Sequence, residues 1–85
     1  MDHPDNVYRR LLRFYDQRGV SGAPWPVLNK LSDEELEQHL ELNRWLESVS
    51  EPNTRQHAHA RVFAGWVAQA MIIRSFRRDF AGLAA

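Results

Sequence analysis

Residues 54–80 read TRQHAHARVFAGWVAQAMIIRSFRRDF, and their reading decides the fold. From Val62 to Ile73 the only polar side chain is Gln69, so no solvated face can be drawn around a helix built from this stretch. A helix that is apolar on all sides has to be covered by its own chain, by a second copy or by a partner. The stretch predicts a helix over 54–81. Asn53 would be its cap, with Gln56 three residues on in capping-box register, Thr54 the weaker alternative cap, and Gly82 the stop. At about 1.5 Å per residue this helix is roughly 40 Å long, more than a three-helix bundle of this size requires.

Upstream, Ser32 followed by Asp33, Glu34 and Glu35 is an S-x-x-E capping box that places acids on the positive end of a helix dipole. Leu31 and Leu36 stand at the two positions of a hydrophobic staple. This second helix is predicted over 32–50. Leu36, Leu40, Leu42, Trp45, Leu46 and Val49 form its apolar arc, and Glu34, Glu37, Glu41, Arg44 and Ser48 its solvated face. Glu51-Pro52-Asn53 is the hinge to the long helix.

Before it, Val7, Tyr8, Leu11, Leu12 and Tyr15 recur on one helical face while Arg9, Arg10 and Arg13 occupy the other. This predicts an amphipathic helix over 5–18, capped by Asp5 and ended near Gly19. The intervening Val20 to Leu31 carries Gly22, Pro24 and Pro26 and reads as loop. Trp25, between two prolines, is expected to fold back as a lid on the core. Its competing role is an exposed anchor for a partner.

Eighty-five residues fit one helical domain, 1–85. With three Trp, four Phe and two Tyr the chain is more aromatic than a disordered tail. Cys is absent, which excludes disulfides, thiolate metal sites and a Cys nucleophile. No secretory h-region begins the sequence, and the longest apolar run is about a dozen residues against the roughly 20 of a membrane span. No membrane association and a cytoplasmic location are therefore expected. The net charge is zero but unevenly spread. Residues 31–52 hold seven acids against Arg44 alone, residues 1–30 five bases against three acids, and residues 53–85 five bases against Asp79 alone.

Few residues suggest chemistry. His57 and His59 are two apart, so on one helix they point nearly opposite ways and do not share an ion. There is no nucleophile elbow around Ser21, no phosphate-cradling glycine loop and no dinucleotide fingerprint. The carboxylates of the second helix read as a solvated face. The expectation is a protein that is not an enzyme and has no cofactor, metal or catalytic residue.

Arg74, Arg77 and Arg78 near the end of the long helix, and Arg9, Arg10 and Arg13 on the first, either offset the acidic helix or form a joint phosphate-binding surface. A helix-turn-helix would fit three helices with arginines on the last. However, the would-be recognition helix is apolar in its middle, and the helix before it is acidic.

The fold expected is all-α: a three-helix bundle with a long central C-terminal helix, self-associating most simply as a twofold dimer. The function expected is a small protein–protein interaction module (adaptor, inhibitor or assembly and regulatory factor). It would act through an apolar surface rimmed by Arg on one side and Glu on the other, with a small DNA- or RNA-binding regulator as the alternative. The partner-binding candidates are Arg74, Arg77, Arg78, Arg9, Arg10, Arg13, Trp25, His57 and Arg61.

Overall fold

In a computed structural model that describes residues 3–15 and 25–84, the chain is helical and the described residues form no strand. The described residues form four helices rather than three: α1 (Pro4–Tyr15), α2 (Trp25–Leu28), α3 (Asp33–Val49) and α4 (Arg55–Ala84). The frame is a hairpin of α3 and α4, whose interface is the most extensive in the molecule, with α1 and α2 laid against it. The 30 residues of α4 span about 45 Å at 1.5 Å each. This nearly equals the 47 Å long axis of the molecule.

The capping box at the start of α3 is formed in both directions. Glu35 N–H donates to Ser32 Oγ at 3.1 Å, and Ser32 N–H donates to the Glu35 carboxylate at 2.9 Å. These backbone-assisted bonds hold the Glu35 carboxyl below its ordinary range.

The other helix ends differ from expectation. Thr54, not Asn53, caps α4: its Oγ1 accepts from His57 N–H at 3.2 Å. Asn53 is instead the residue that turns the chain, with a φ of 69° in the left-handed region that Asn tolerates better than most residues. Gln56, expected in a capping box with Asn53, reaches back to Ser50 Oγ at 2.9 Å and closes the corner of the hairpin. Gly82 does not end α4, which runs to Ala84. No side chain crowds Gly82, and a glycine with helical dihedrals simply continues the helix.

At the start of α1, Pro4 takes the first helical position, where a missing N–H costs nothing. His3 Nδ1 accepts from Asp5 N–H at 3.2 Å, so His3 does the capping assigned to Asp5. Within the stretch read as loop, Trp25 to Leu28 makes one helical turn, with Pro26 in a position whose N–H has no helical acceptor. The expected extension of the first helix to residue 18, its stop at Gly19 and the loop over 20–24 lie outside the described residues.

The core is one cluster: Val7, Leu11 and Tyr15 of α1, Leu28 of α2, Leu36 and Leu46 of α3, and Ala60, Phe63, Val67 and Ala70 of α4. On α3 the buried stripe runs through Leu36, Asn43 and Leu46, which puts Asn43 where Leu42 and Val49 were expected. Leu42 and Val49 are exposed on the flank of the helix. On α4 only the inward face is buried, so Val62, Ile72 and Ile73 of the stretch expected to be covered by the chain, a second copy or a partner are exposed in the single chain.

Leu46→Ala removes a fully buried side chain at the hairpin interface and is expected to cost about 2–5 kcal/mol in urea melts. Val49→Ala, four-tenths exposed or more, should cost less than about 1 kcal/mol in the same assay.

Candidate functional site

α1 packs on the hairpin through aromatic and polar side chains. Tyr8 Oη and His59 Nδ1 are 2.7 Å apart, and the His59 ring also lies against Phe63. Tyr15 is buried with its ring 4.7 Å from Phe63 and 6.3 Å from Trp66, measured between centroids. Its hydroxyl accepts from Asn43 Nδ2 at 2.9 Å and lies 2.9 Å from His39 Nδ1. The Tyr15 oxygen has a second lone pair, so the Tyr15–His39 bond runs in either direction according to the imidazole tautomer. Asn43 Nδ2 also donates to the His39 carbonyl at 2.9 Å, and Asn43 Oδ1 is buried without a partner among the described residues. Burial pushes the Tyr15 hydroxyl up to about 12, against the opposing hydrogen bond from Asn43. Burial also lowers the His39 pKa, against the charge of Glu35.

Beside this network α1 and α3 enclose a groove of about 640 Å³. Val7, Leu11 and Phe14 form one wall, and Leu42 and Trp45 the other. Arg10 and Glu41 stand at its rims, and His39 lies at its edge. The groove arises because Asn43 and Leu46 turn α3 inward, leaving Leu42 and Trp45 on the flank that α1 covers only in part. The sequence reading placed both residues in the core arc. What it lacked was the depth of Asn43.

The C-terminal part of α4 is fastened at a second place. Arg74 is a clasp: its Nη1 donates to Asp33 at 3.1 Å, and its Nη2 to the Leu28 and Asn29 carbonyls at 3.1 and 3.3 Å. It thus ties α4 to the end of α2 and the start of α3. Arg78 adds a 3.0 Å bond to the other Asp33 oxygen. Opposite this pinned face, α4 exposes Ile72, Phe76 and Phe80 at 67, 70 and 64%, with the two phenyl rings stacked 6.5 Å apart.

The structure separates the predicted site residues. Arg74 and Arg78 converge on Asp33 and are occupied there. Arg77 and Arg61 are exposed on α4, and Arg9, Arg10 and Arg13 on α1. α1 contacts α4 at His59 and Trp66, and Arg77 lies roughly 16 Å further along α4 from Trp66. Trp25 is partly buried against the core, in the lid position. His57 is half-buried in the first turn of α4, and His59, held by Tyr8, is an internal connection. Among the described residues no three His, Asp or Glu side chains are grouped to hold a metal, and no helix is long and apolar enough to cross a membrane.

The sequence matches no protein-family model and no curated protein, and the fold matches no solved structure.

His39 titrates below 6.5 in the folded chain, so just below that pH the unfolded chain binds more protons. Its contribution to stability is full above about pH 6.5 and is lost as pH falls through the folded pKa. Urea melts from about pH 7 to 5 should show this fall, and His39→Gln should flatten it. A second set of melts separates the clasp residues. Arg74→Ala should cost about 1–2 kcal/mol, since the Arg74 side chain is only 23% exposed and its loss leaves the Asp33 carboxylate and two backbone carbonyls without a donor. The exposed Arg78→Ala should cost under about 0.5 kcal/mol.

Proposed function

We propose that the chain is a small protein–protein interaction module, an adaptor, inhibitor or assembly and regulatory factor, that acts in the cytoplasm as a homodimer and has no catalytic role. The observation that carries this reading is the open groove between α1 and α3. Its lining is apolar, with Val7, Leu11 and Phe14 on one side, Leu42 and Trp45 on the other, and Arg10 and Glu41 at its edges. Two helices form its walls, and a third helix laid between them would extend the ridge-into-groove packing of the fold itself. The occupant proposed is therefore an amphipathic helix of a partner protein. Its leucine or phenylalanine anchors would enter the groove at i, i+3, i+4 and i+7, with charged residues meeting the rims.

Support also comes from what the polar side chains already do. Tyr8, Tyr15, His39, Asn43 and His59 hold helices together, and Arg74 and Arg78 hold the α2–α3 corner. With those two arginines engaged on Asp33, the basic end of α4 offers fewer phosphate contacts than its composition suggests.

Leu42 is the groove residue best suited to a test, because it is exposed and its replacement leaves the core intact. Affinity capture from native lysate should give a protein partner that survives nuclease treatment and is lost with Leu42→Asp. Capture that vanishes with nuclease and ignores Leu42→Asp would replace this reading with nucleic-acid binding.

A further inference from the structure

The outer face of α4 has a second regularity. Ala58, Val62, Gly65, Gln69, Ile72 and Phe76 follow one another at spacings of four, three, four, three and four, and all six are exposed. The next step of three falls on Asp79, with the exposed Phe80 beside it. That alternation is the heptad seam by which one helix packs along another. It runs opposite the buried face of Ala60, Phe63, Val67 and Ala70, and among the described residues no element covers it. From Ala58 to Phe80 it is about 33 Å long.

The seam is unevenly filled, and the unevenness is self-complementary. Its N-terminal half is shallow: Ala58, Val62 and Gly65 are small, and the space beside Gly65 where a side chain would begin is open. Its C-terminal half is bulky, with Ile72, Phe76 and Phe80. A parallel copy would set bulk against bulk and gap against gap. An antiparallel copy centred between residues 70 and 71 sets Phe76 over the partner helix at Gly65, and Ile72 beside Gln69.

The charges agree with the same register. Arg61 flanks the N-terminal end of the seam and Asp79 stands at its C-terminal end, 18 residues on and so at the same angle around a helix of 3.6 residues per turn. A twofold axis perpendicular to antiparallel helices brings the same flanks together and places Arg61 of each copy within one residue of Asp79 of the other. The Phe80 ring is then within reach of that guanidinium as well.

We infer that α4 pairs with α4 of a second copy in an antiparallel, twofold-symmetric seam centred between residues 70 and 71, with Phe76 set over Gly65 and Arg61 set against Asp79. This deepens the homodimer part of the proposed function and does not depend on the groove. The interface is isologous, so it closes at two chains. The pinning of Arg74 and Arg78 to Asp33 faces away from the seam and holds α4 straight on the hairpin, which presents the seam as a rigid surface.

The test uses the full chain, which lacks cysteine, so single Cys substitutions can carry a spin label. Light scattering after size exclusion at tens of micromolar should give a dimer for the native chain and a monomer for Phe76→Asp. Arg61→Asp and Asp79→Arg should each weaken the dimer about two- to fivefold, and the two together should restore it. In electron–electron distance measurements, labels at Ala58→Cys should lie about 40 Å apart, and labels at Gln69→Cys under about 20 Å.

Short distances at both positions would mean a parallel seam and would overturn the inference. A dimer that Phe76→Asp leaves intact would also overturn it, by placing the interface elsewhere while keeping the homodimer. A native chain that is monomeric would remove both the seam and the homodimer. Loss of the Leu42-dependent partner is read in a separate assay and bears only on the groove.

Discussion

Everything in this molecule follows from a mismatch between one helix and its cover. α4 has 30 residues and apolar side chains around much of its circumference, and the longest helix available to cover it, α3, has 17. A single chain of this length can bury one face of such a helix, and it does so with Ala60, Phe63, Val67 and Ala70 against α1, α2 and α3. The opposite face, with Val62, Ile72, Phe76 and Phe80, is left over. At about 25 cal/mol per Å² of apolar surface, leaving several large side chains in water is a substantial unrealised stabilisation. That exposed apolar line is the surface on which the proposed dimer seam rests.

Holding so long a helix in place takes more than the hydrophobic core, and the polar side chains supply it at two levels. In the middle of the molecule Tyr15, His39 and Asn43 lock α1 to α3, with Tyr8 and His59 adding a tie between α1 and α4. Such a network fixes geometry because each member is oriented by the next, and the buried Asn43 Oδ1 that lacks a partner shows that it is not fully satisfied among the described residues. At the far end Arg74 joins three elements at once through Asp33 and two backbone carbonyls. Arginine suits that place because its planar fork donates in several fixed directions, which the ammonium of lysine does not.

Much of this was legible in the sequence. The capping box at Ser32, the length of the last helix and the amphipathic pattern of the first lead to an all-helical chain. The apolar middle of α4 shows that something must cover it. The candidate surfaces were less visible. Arg74 and Arg78 look like a basic patch on paper, because nothing in the local sequence says that Asp33, over forty residues away, will meet them. The groove was hidden because Leu42, Trp45 and Val49 fit the apolar arc of α3 as well as Leu36 and Leu46 do. Only the burial of Asn43 rotates that helix by enough to leave them on its flank. The heptad line on α4 was present in the spacing, but in a stretch apolar on all sides no one face stands out.

By itself, then, the sequence determined what local physics governs: helix content, most helix starts, the hinge at Pro52 and Asn53, and the surplus of apolar surface on the last helix. These depend on caps, turn residues and periodicity within a few residues of each other. Tertiary structure alone decided which half of that surplus is core and which is surface, which arginines are occupied, and which histidines join helices. Those outcomes depend on the rotation of one helix against another. That rotation is set by contacts between residues far apart in the chain, and no short window of sequence contains it.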